Sequence, residues 1–243
     1  MQENKYDDVE FFKEYEKMYR SQKGLLGAGE WPAFQQLLPD FKGKDVLDLG
    51  CGFGWHCRYA IENGANSVIG TDISKRMLKK ARKINPSPGI VYQQKAMEEL
   101  VYQNEQFDII LSSLAFHYIA DFAQICNNIF HWLKPNGHFI FSVEHPIFTA
   151  RHEQDWIYAK NGNKLHWPID HYFTIEKKET KFLGNTVTKY HRTLTAYFNT
   201  VLQAGFTIKA CIEPQPTADM LAVFPEMRDE LRRPMMLIIS ATK

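Results

Sequence analysis

The chain is poor in cysteine and has no long apolar run. Its four cysteines among 243 residues form no C-x-x-C pair, so we expect reduced thiols and no disulfide framework. No apolar stretch reaches the ~20 residues that span a bilayer. The N-terminus also has no basic leader followed by an apolar segment. We therefore predict a cytoplasmic protein without a membrane partner.

Net charge is the third property that the chain has little of. The 29 basic and 28 acidic residues give a formal charge of +1, which argues against binding of polyanions through bulk charge. The basic residues of the segment 75–83 have no interleaved aromatic side chains for base stacking, so we interpret them as a solvated helix face. The sequence thus predicts no nucleic-acid partner and favours a small-molecule ligand.

Short apolar segments alternate with helical ones through most of the chain. The predicted strands cover 46–49, 68–71, 90–93, 107–112, 138–143, 206–212 and 235–240. They are almost continuously apolar, which is typical of strands covered on both faces, and strand–helix–strand repeats indicate a parallel sheet. Ligands of such sheets bind beyond the carboxyl ends of the strands.

Residue types that favour helix caps and turns stand at the ends of several predicted elements. Ser74, Asp121 and Thr193 are suited to cap the helices that follow them. The segment 134–137 is expected to be a turn, and 181–185 is expected to connect two strands of a hairpin.

A glycine-rich loop follows the first predicted strand. It has the spacing G-x-G-x-G at 50–54, and Asp72 ends the next strand 22 residues after Gly50. Glycines allow a tight turn and close approach of a ligand, and the acidic residue can accept hydrogen bonds from ribose hydroxyls. Trp55 stands where a dinucleotide fingerprint has its third glycine, and no G-x-x-x-x-G-K-[ST] occurs, so a nicotinamide dehydrogenase remains only a distant alternative and a P-loop is excluded.

The loop and four further segments resemble the class I S-adenosylmethionine-dependent methyltransferases. The matching segments are 48–54, 70–74, 95–98, 107–117 and 133–137, within a region of similarity that covers about 42–145. Lys95 and Asn136 depart from the family pattern, which has an acidic residue and a glycine there. With the seven predicted strands, the resemblance implies a doubly wound α/β fold with a mostly parallel, Rossmann-like sheet and an antiparallel last strand. It also implies S-adenosylmethionine as cofactor, S-adenosylhomocysteine as product and a small-molecule acceptor.

The resemblance further implies roles for individual residues. Asp48 would lie near the methionine ammonium, with Gly50, Cys51 and Gly52 against the methionine portion and Asp72 on the ribose. The residues expected around the adenine and the sulfonium are Ile73, Met77, Ala96, Met97, Ser112 and Ser113. Arg20, in the N-terminal segment, is expected to meet the methionine carboxylate.

Four histidines are our candidates for a general base: His117, His145, His171 and His191. We favour His117 and His145, because they follow the fourth and the fifth predicted strand. Histidine suits proton transfer near neutral pH, although methyl transfer needs a base only if the acceptor must lose a proton. No histidine pair has a recognised metal-ligand spacing such as H-E-x-x-H, so we predict no metal site.

An aromatic-rich segment follows the fifth strand and holds much of the 14% aromatic content and several of the nine histidines. We predict an N-terminal helical lid at 1–41, a core at 42–145 and 193–243, and an inserted cap at 146–192. The candidate acceptor-binding residues of the cap are Trp156, Tyr158, His171, Tyr172 and His191. A satellite hydrophobic core is the alternative for this insert, and a non-catalytic nucleoside-binding protein is the alternative for the whole chain. A monomer or a homodimer is expected.

Overall fold

The structure is a computed structural model and describes residues 4–243. The helices are α1 (Val9–Lys17), α2 (Tyr19–Lys23), α3 (Trp31–Gln36), α4 (Trp55–Glu62), α5 (Lys75–Ile84), α6 (Phe122–Trp132), α7 (Pro146–Thr149), α8 (Leu194–Gln203) and α9 (Ala218–Val223). The strands are β1 (Asp45–Leu49), β2 (Ser67–Asp72), β3 (Ile90–Gln94), β4 (Phe107–Ser113), β5 (Leu133–Glu144), β6 (Ile157–Tyr158), β7 (Lys164–His166), β8 (Glu176–Phe182), β9 (Asn185–His191), β10 (Thr207–Ile212) and β11 (Met236–Thr242).

Seven of the strands form one sheet in the order β10-β11-β5-β4-β1-β2-β3. β1 pairs in parallel with β2 and β4, and the pairs β2–β3 and β4–β5 are also parallel. β11 runs antiparallel to both β5 and β10. The predicted doubly wound sheet with an antiparallel last strand is therefore confirmed.

Both faces of this sheet are covered by hydrophobic core. Leu47 and Leu49 of β1 point into one cluster, and Val46 of the same strand points into the other. The side chains of a strand alternate between its two faces, so a strand buried on both sides reads as a continuous apolar run. This burial explains why the strands were recognisable from composition without a polar-apolar alternation.

The three predicted helix caps are present. The side chains of Ser74, Asp121 and Thr193 each accept a hydrogen bond from the backbone N–H three residues later. Each bond satisfies one donor that a helix N-terminus leaves free.

One predicted turn is wrong. The segment 134–137 lies within β5, which begins at Leu133 because this residue pairs with Phe107 of β4. Asn136 takes a φ of 62°, a left-handed conformation that asparagine tolerates, so the chain bends there while remaining in the strand. The sequence also did not reveal α9 and the 3-10 helix Pro225–Arg232, which are too short for a periodic pattern.

The segment after β5 forms two small hairpins apart from the main sheet. β8 and β9 pair antiparallel with Phe182 opposite Asn185, which confirms the predicted hairpin. β6 and β7 form a second, short antiparallel pair. Between residues 4 and 243, no helix is both long enough and apolar enough to cross a membrane.

Candidate active site

The glycine loop lies at the carboxyl end of β1 and is fixed by hydrogen bonds to β2. The N–H groups of Gly50 and Cys51 donate to the carbonyl of Thr71, both at 2.9 Å. Gly50 has a φ of 73°, and a Cβ at this position would lie 2.6 Å from the Cβ of Ala115 and 2.7 Å from the Cε of Met97. Any side chain at position 50 would therefore clash with Ala115 and Met97, so this position requires glycine.

Asp72 ends β2 and binds the loop from below. Its Oδ2 accepts a hydrogen bond from the Gly52 N–H at 2.9 Å, and its Oδ1 accepts one from the Ser74 N–H at 2.8 Å. Burial raises the pKa of Asp72 to about 6, although both of these hydrogen bonds favour the ionised form. The carboxylate is ionised at neutral pH, and each of its oxygens keeps a lone pair for a further donor.

Asp48 lies one layer deeper, beneath the loop. It is only 1% exposed, and its Oδ2 accepts a hydrogen bond from the Cys57 thiol at 3.2 Å. Burial raises its pKa to about 7. Cys51 is buried in the same layer, so both residues support the loop from outside the cavity described next.

A cavity of about 500 Å³ opens above the glycine loop. Seven residues line the side of the cavity that is nearest to the loop, and we call them the glycine-loop wall: Gly50, Gly52, Asp72, Ile73, Met77, Ala96 and Met97. The residues that we call the strand-end wall include Ser113, His117, Tyr118 and Glu144. The structure thus brings together most residues that the family resemblance assigned to the cofactor. Ser112 lies outside, because its hydroxyl donates to the Leu49 carbonyl at 2.9 Å inside the sheet.

The cavity is closed by two segments that are distant in sequence, which together we call the lid wall. The N-terminal segment contributes Lys5, Tyr6, Tyr15, Met18 and Arg20, and the β8–β9 hairpin contributes Lys177, Phe182, Val187, Thr188 and Tyr190. The two segments touch each other, with the rings of Phe11 and Phe182 5.8 Å apart. Residues 1–3 of the predicted lid lie outside the described residues.

Arg20 reaches the cavity through a buried polar network. Its guanidinium donates to Glu30 Oε1 at 2.7 Å, and the Ser113 hydroxyl donates to the same oxygen at 3.2 Å. Burial would raise the pKa of Glu30, but the adjacent guanidinium outweighs this effect, so its pKa lies below the usual value. Glu30 is 2% exposed and does not line the cavity, so it acts as the support that fixes Arg20.

His117 lines the cavity, and a hydrogen bond to one of its ring nitrogens determines which nitrogen carries the proton. The backbone N–H of Glu144 donates to Nδ1 of His117 at 3.4 Å. Burial lowers the pKa of His117 to about 4, so the ring is neutral at pH 7. With Nδ1 as an acceptor, the proton of the neutral ring resides on Nε2.

His145, the other candidate base, lies outside the cavity. It caps α7, where its Nδ1 accepts a hydrogen bond from the Ile147 N–H at 3.0 Å, and its Nε2 lies 2.9 Å from Glu213 Oε1. Successive side chains at the end of a strand point to opposite faces of the sheet. Glu144, one position before His145, lines the cavity, and His145 does not.

The five cap residues expected to bind the acceptor also lie outside the cavity. Trp156 packs edge-on against Trp167, under the guanidinium of Arg233. His191 is held by the hydroxyl of Thr149 at 2.7 Å and the carbonyl of Tyr172 at 2.9 Å. These contacts make a satellite core, which was the stated alternative for the insert.

Tyr158 and His171 are exposed on the surface, and the Tyr172 hydroxyl accepts a hydrogen bond from the Leu194 N–H at 3.1 Å. Sequence reasoning missed Tyr6, Glu144 and Tyr190 as lining residues. The interleaved tyrosines of the N-terminal segment and of β9 were a signal for Tyr6 and Tyr190, and the end of the fifth predicted strand was a signal for Glu144. Among residues 4–243, no three His, Cys, Asp or Glu side chains are grouped so that they could hold a metal ion.

The chain matches known proteins over almost its whole length. Residues 47–141 match a family model described as a methyltransferase domain. An uncharacterized protein of Haemophilus influenzae is 36% identical over 246 residues, which cover 98% of this chain and 96% of that protein.

Two crystal structures are similar to this chain in both sequence and fold. A Listeria monocytogenes protein assigned to the S-adenosylmethionine-dependent methyltransferases is 54% identical, with a TM-score of 0.86 over 90% of this chain and 99% of that chain. An S-adenosylmethionine-dependent methyltransferase of Mesorhizobium loti is 41% identical, with a TM-score of 0.85 over 90% of this chain and 100% of that chain. These matches set aside a nicotinamide dehydrogenase and a non-catalytic nucleoside binder. The chain belongs to the class I S-adenosylmethionine-dependent methyltransferases, enzymes that use S-adenosylmethionine and release S-adenosylhomocysteine.

Proposed function

We propose that this enzyme methylates a small molecule inside the 500 Å³ cavity, by in-line displacement. One observation carries the proposal: the glycine-loop wall and the lid wall line the same cavity. Its volume falls within the range of about 300–1,000 Å³ that is typical of small-molecule sites. An acceptor must therefore fit beneath the lid beside the cofactor, which favours a small molecule over a nucleic acid.

The glycine-loop wall fits an adenosyl ligand. A side chain at position 50 would fill the cradle above the loop, and Asp72 presents a buried carboxylate beside it. We assign Asp72 to the ribose hydroxyls, Ile73, Met77, Ala96 and Met97 to the adenine, and Arg20 to the methionine carboxylate. S-adenosylmethionine supplies an electrophilic methyl group when bound, and the chain's own residues orient it and exclude water.

The lid wall and the strand-end wall provide the space for the acceptor. Tyr6 and Tyr118 meet there through their hydroxyls at 3.1 Å, and His117 lies beside Tyr118, with 4.5 Å between the ring centroids. Aromatic walls with a few convergent polar groups are characteristic of small-molecule sites. Relatives that match less than half of this chain include a malonyl-[acyl-carrier protein] O-methyltransferase and a ubiquinone biosynthesis O-methyltransferase. Because the reactions of these relatives differ, we take acceptor choice to depend on the lid wall.

The proposal is tested by methyl transfer from S-[methyl-³H]adenosylmethionine to a small-molecule extract of bacterial cells. We expect label in compounds that pass a 3 kDa filter, with a Gly50→Ala variant as the inactive control. Label found only in retained protein or nucleic acid would contradict a small-molecule acceptor. The absence of any transfer would contradict the proposed function as a whole.

A further inference from the structure

Two carboxylates that line the cavity, Glu98 and Glu144, are left unused by the assignment of the cofactor residues. Glu98 is exposed and follows Met97 of the glycine-loop wall, so it lies on that side of the cavity. Glu144 ends β5, lines the cavity and has a side chain that is 15% exposed. Asp72 belongs to the glycine-loop wall and Glu30 is bound to Arg20, so Glu144 is the carboxylate at the strand-end wall beside His117.

A buried lysine holds this carboxylate in its ionised form. Lys189 of β9 is 3% exposed and lies 2.5 Å from Glu144 Oε1. Burial by itself would raise the pKa of Glu144, but the charge of Lys189 outweighs this effect, so the pKa lies below the usual value. The chain therefore maintains a buried ion pair at the cavity wall, although dehydrating two ions costs free energy.

The second oxygen of Glu144 has spare capacity as a hydrogen-bond acceptor. Its partner Gln154 donates from 3.4 Å, which is a long contact. An ionised carboxylate offers about four lone-pair directions, and Lys189 and Gln154 use two of them. A donor in the cavity can occupy those that remain.

His117 adds a donor beside this acceptor. Its Nδ1 receives the Glu144 backbone N–H, so the neutral ring carries its proton on Nε2 and can donate only from there. The cavity thus presents a carboxylate acceptor and an imidazole N–H donor next to each other.

A hydroxyl is the methyl acceptor that satisfies both groups best, because a thiol has the same pattern of donor and lone pairs but forms only weak hydrogen bonds. A hydroxyl donates its proton to a carboxylate, accepts a hydrogen bond on one lone pair and keeps the second lone pair for attack. An uncharged amine has a single lone pair, which cannot both accept from His117 and attack a methyl group. A carboxylate acceptor would be repelled by Glu144.

We propose that Glu144 and His117 bind a hydroxyl group of the acceptor and that the enzyme is an O-methyltransferase in which Glu144 receives the hydroxyl proton. This inference rests on the proposed function. As the C–O bond to the methyl carbon forms, the S–C bond breaks and its electron pair stays on the sulfur of S-adenosylhomocysteine. The O–H bond breaks and its proton passes to the Glu144 carboxylate, and from there to water after product release. Lys189 is a positioning residue that acts through Glu144.

The chemical class of the methylated product gives the first test. Extract compounds labelled by the wild-type enzyme are treated with alkali, which hydrolyses methyl esters, and then with hydriodic acid, which releases methyl iodide from methyl ethers but not from N-methyl groups under mild conditions. We expect alkali-stable label that hydriodic acid releases. Alkali-labile or acid-resistant label would overturn the inference and leave the proposed function intact, whereas no label would overturn both.

The variant Glu144→Gln gives the second test. It keeps the size of the side chain and removes its charge. We therefore expect kcat/KM for the acceptors that give the labelled products to fall by about 100-fold or more. Binding of S-adenosylhomocysteine, measured by calorimetry, should change less than threefold, because Glu144 is not part of the glycine-loop wall. Glu179→Gln, an exposed change on the β8–β9 hairpin that carries Lys189, is the matched control and should retain wild-type activity.

A double variant covers the case in which Glu144→Gln leaves Lys189 buried without a partner and unfolds the chain. Glu144→Gln with Lys189→Met removes both charges and should restore folding, seen as a cooperative melting transition, with tight S-adenosylhomocysteine binding and no recovery of transfer. Wild-type transfer in either folded variant would overturn the role of Glu144.

Discussion

At the scale of single residues, the floor of the site combines ionisable groups with deep burial. Asp48 and Asp72 both lie beneath the glycine loop, and burial raises the pKa of both carboxyls. Such groups destabilise the folded chain when they are ionised, and they are retained where a ligand needs their charge. The two carboxylates therefore link protein stability and ligand binding to pH in opposite directions.

The substitution Asp48→Asn should stabilise the protein at high pH. The unfolded chain loses this proton near pH 4 and the folded chain only near pH 7, so stability from Asp48 is present at low pH and is lost as the pH rises to about 7. We expect a free energy of unfolding about 2–4 kcal/mol higher than wild type at pH 8 and no gain at pH 4. Denaturant titrations at both pH values measure this. An equal gain at both would contradict the burial argument.

Cofactor affinity should fall on acidification because Asp72 becomes protonated. Its pKa of about 6 in the free protein means that its ionised form is present above that pH. We expect the Kd of S-adenosylhomocysteine to rise as the pH falls from 7.5 to 5. Asp72→Asn should weaken binding by about 10–100-fold at pH 7.5 and flatten that dependence. Calorimetric titrations across this range decide it, and an unchanged slope in the variant would assign the dependence to another group.

At the scale of elements, the N-terminal segment is attached to the helix that follows Asp72. Asp7 accepts hydrogen bonds from the Ser74 hydroxyl at 2.7 Å and from the Arg76 N–H at 2.9 Å, so it caps α5 from outside. Lys80 of the same helix binds Glu16 at 2.8 Å. The basic face of α5, interpreted from sequence as solvated, thus also binds the segment that closes the cavity.

Removing this external cap should loosen the lid wall. We expect Asp7→Ala to lower the free energy of unfolding by about 1 kcal/mol, the usual contribution of a helix cap, and to speed trypsin cleavage within the N-terminal segment. Added S-adenosylhomocysteine should slow that cleavage. Glu14→Ala, on the exposed face of α1, is the control and should be cleaved at the wild-type rate. Equal cleavage of both variants would mean that Asp7 does not hold the segment.

At the scale of the whole molecule, a ligand that binds only the folded state must raise the melting temperature. S-adenosylhomocysteine at 100 times its Kd adds about 2.7 kcal/mol, which corresponds to roughly 5–10 °C for a chain of this size. NAD at the same concentration should give no shift, because Trp55 replaces the third glycine of a dinucleotide loop. Thermal melts with each ligand measure this. A rise in melting temperature with NAD alone would contradict the prediction that this loop does not bind a dinucleotide.

The sheet, its helix caps and the glycine loop with Asp72 could be predicted from the sequence alone. These features depend on residues that are close together in the chain: a strand, the loop that follows it and the first turn of the next helix. Gly50, Gly52 and Asp72 could be located because local geometry demands their residue types at fixed spacing. The predicted turn at 134–137 was wrong because cross-strand pairing of Leu133 with Phe107 overrides a local turn signal.

The fold was needed to show which distant residues line the cavity together. Tyr6, Glu144 and Tyr190 come from segments more than 40 residues apart, and folding brings them to one cavity. At the end of β5, side chains alternate between the two faces, so Glu144 lines the cavity and His145 does not. Trp156 packs against Trp167 and Arg233 in a separate core. Contacts between distant segments leave no spacing in the sequence, so the glycine-loop wall could be predicted from the chain, whereas the cavity positions of Tyr6, Glu144 and Tyr190 could not.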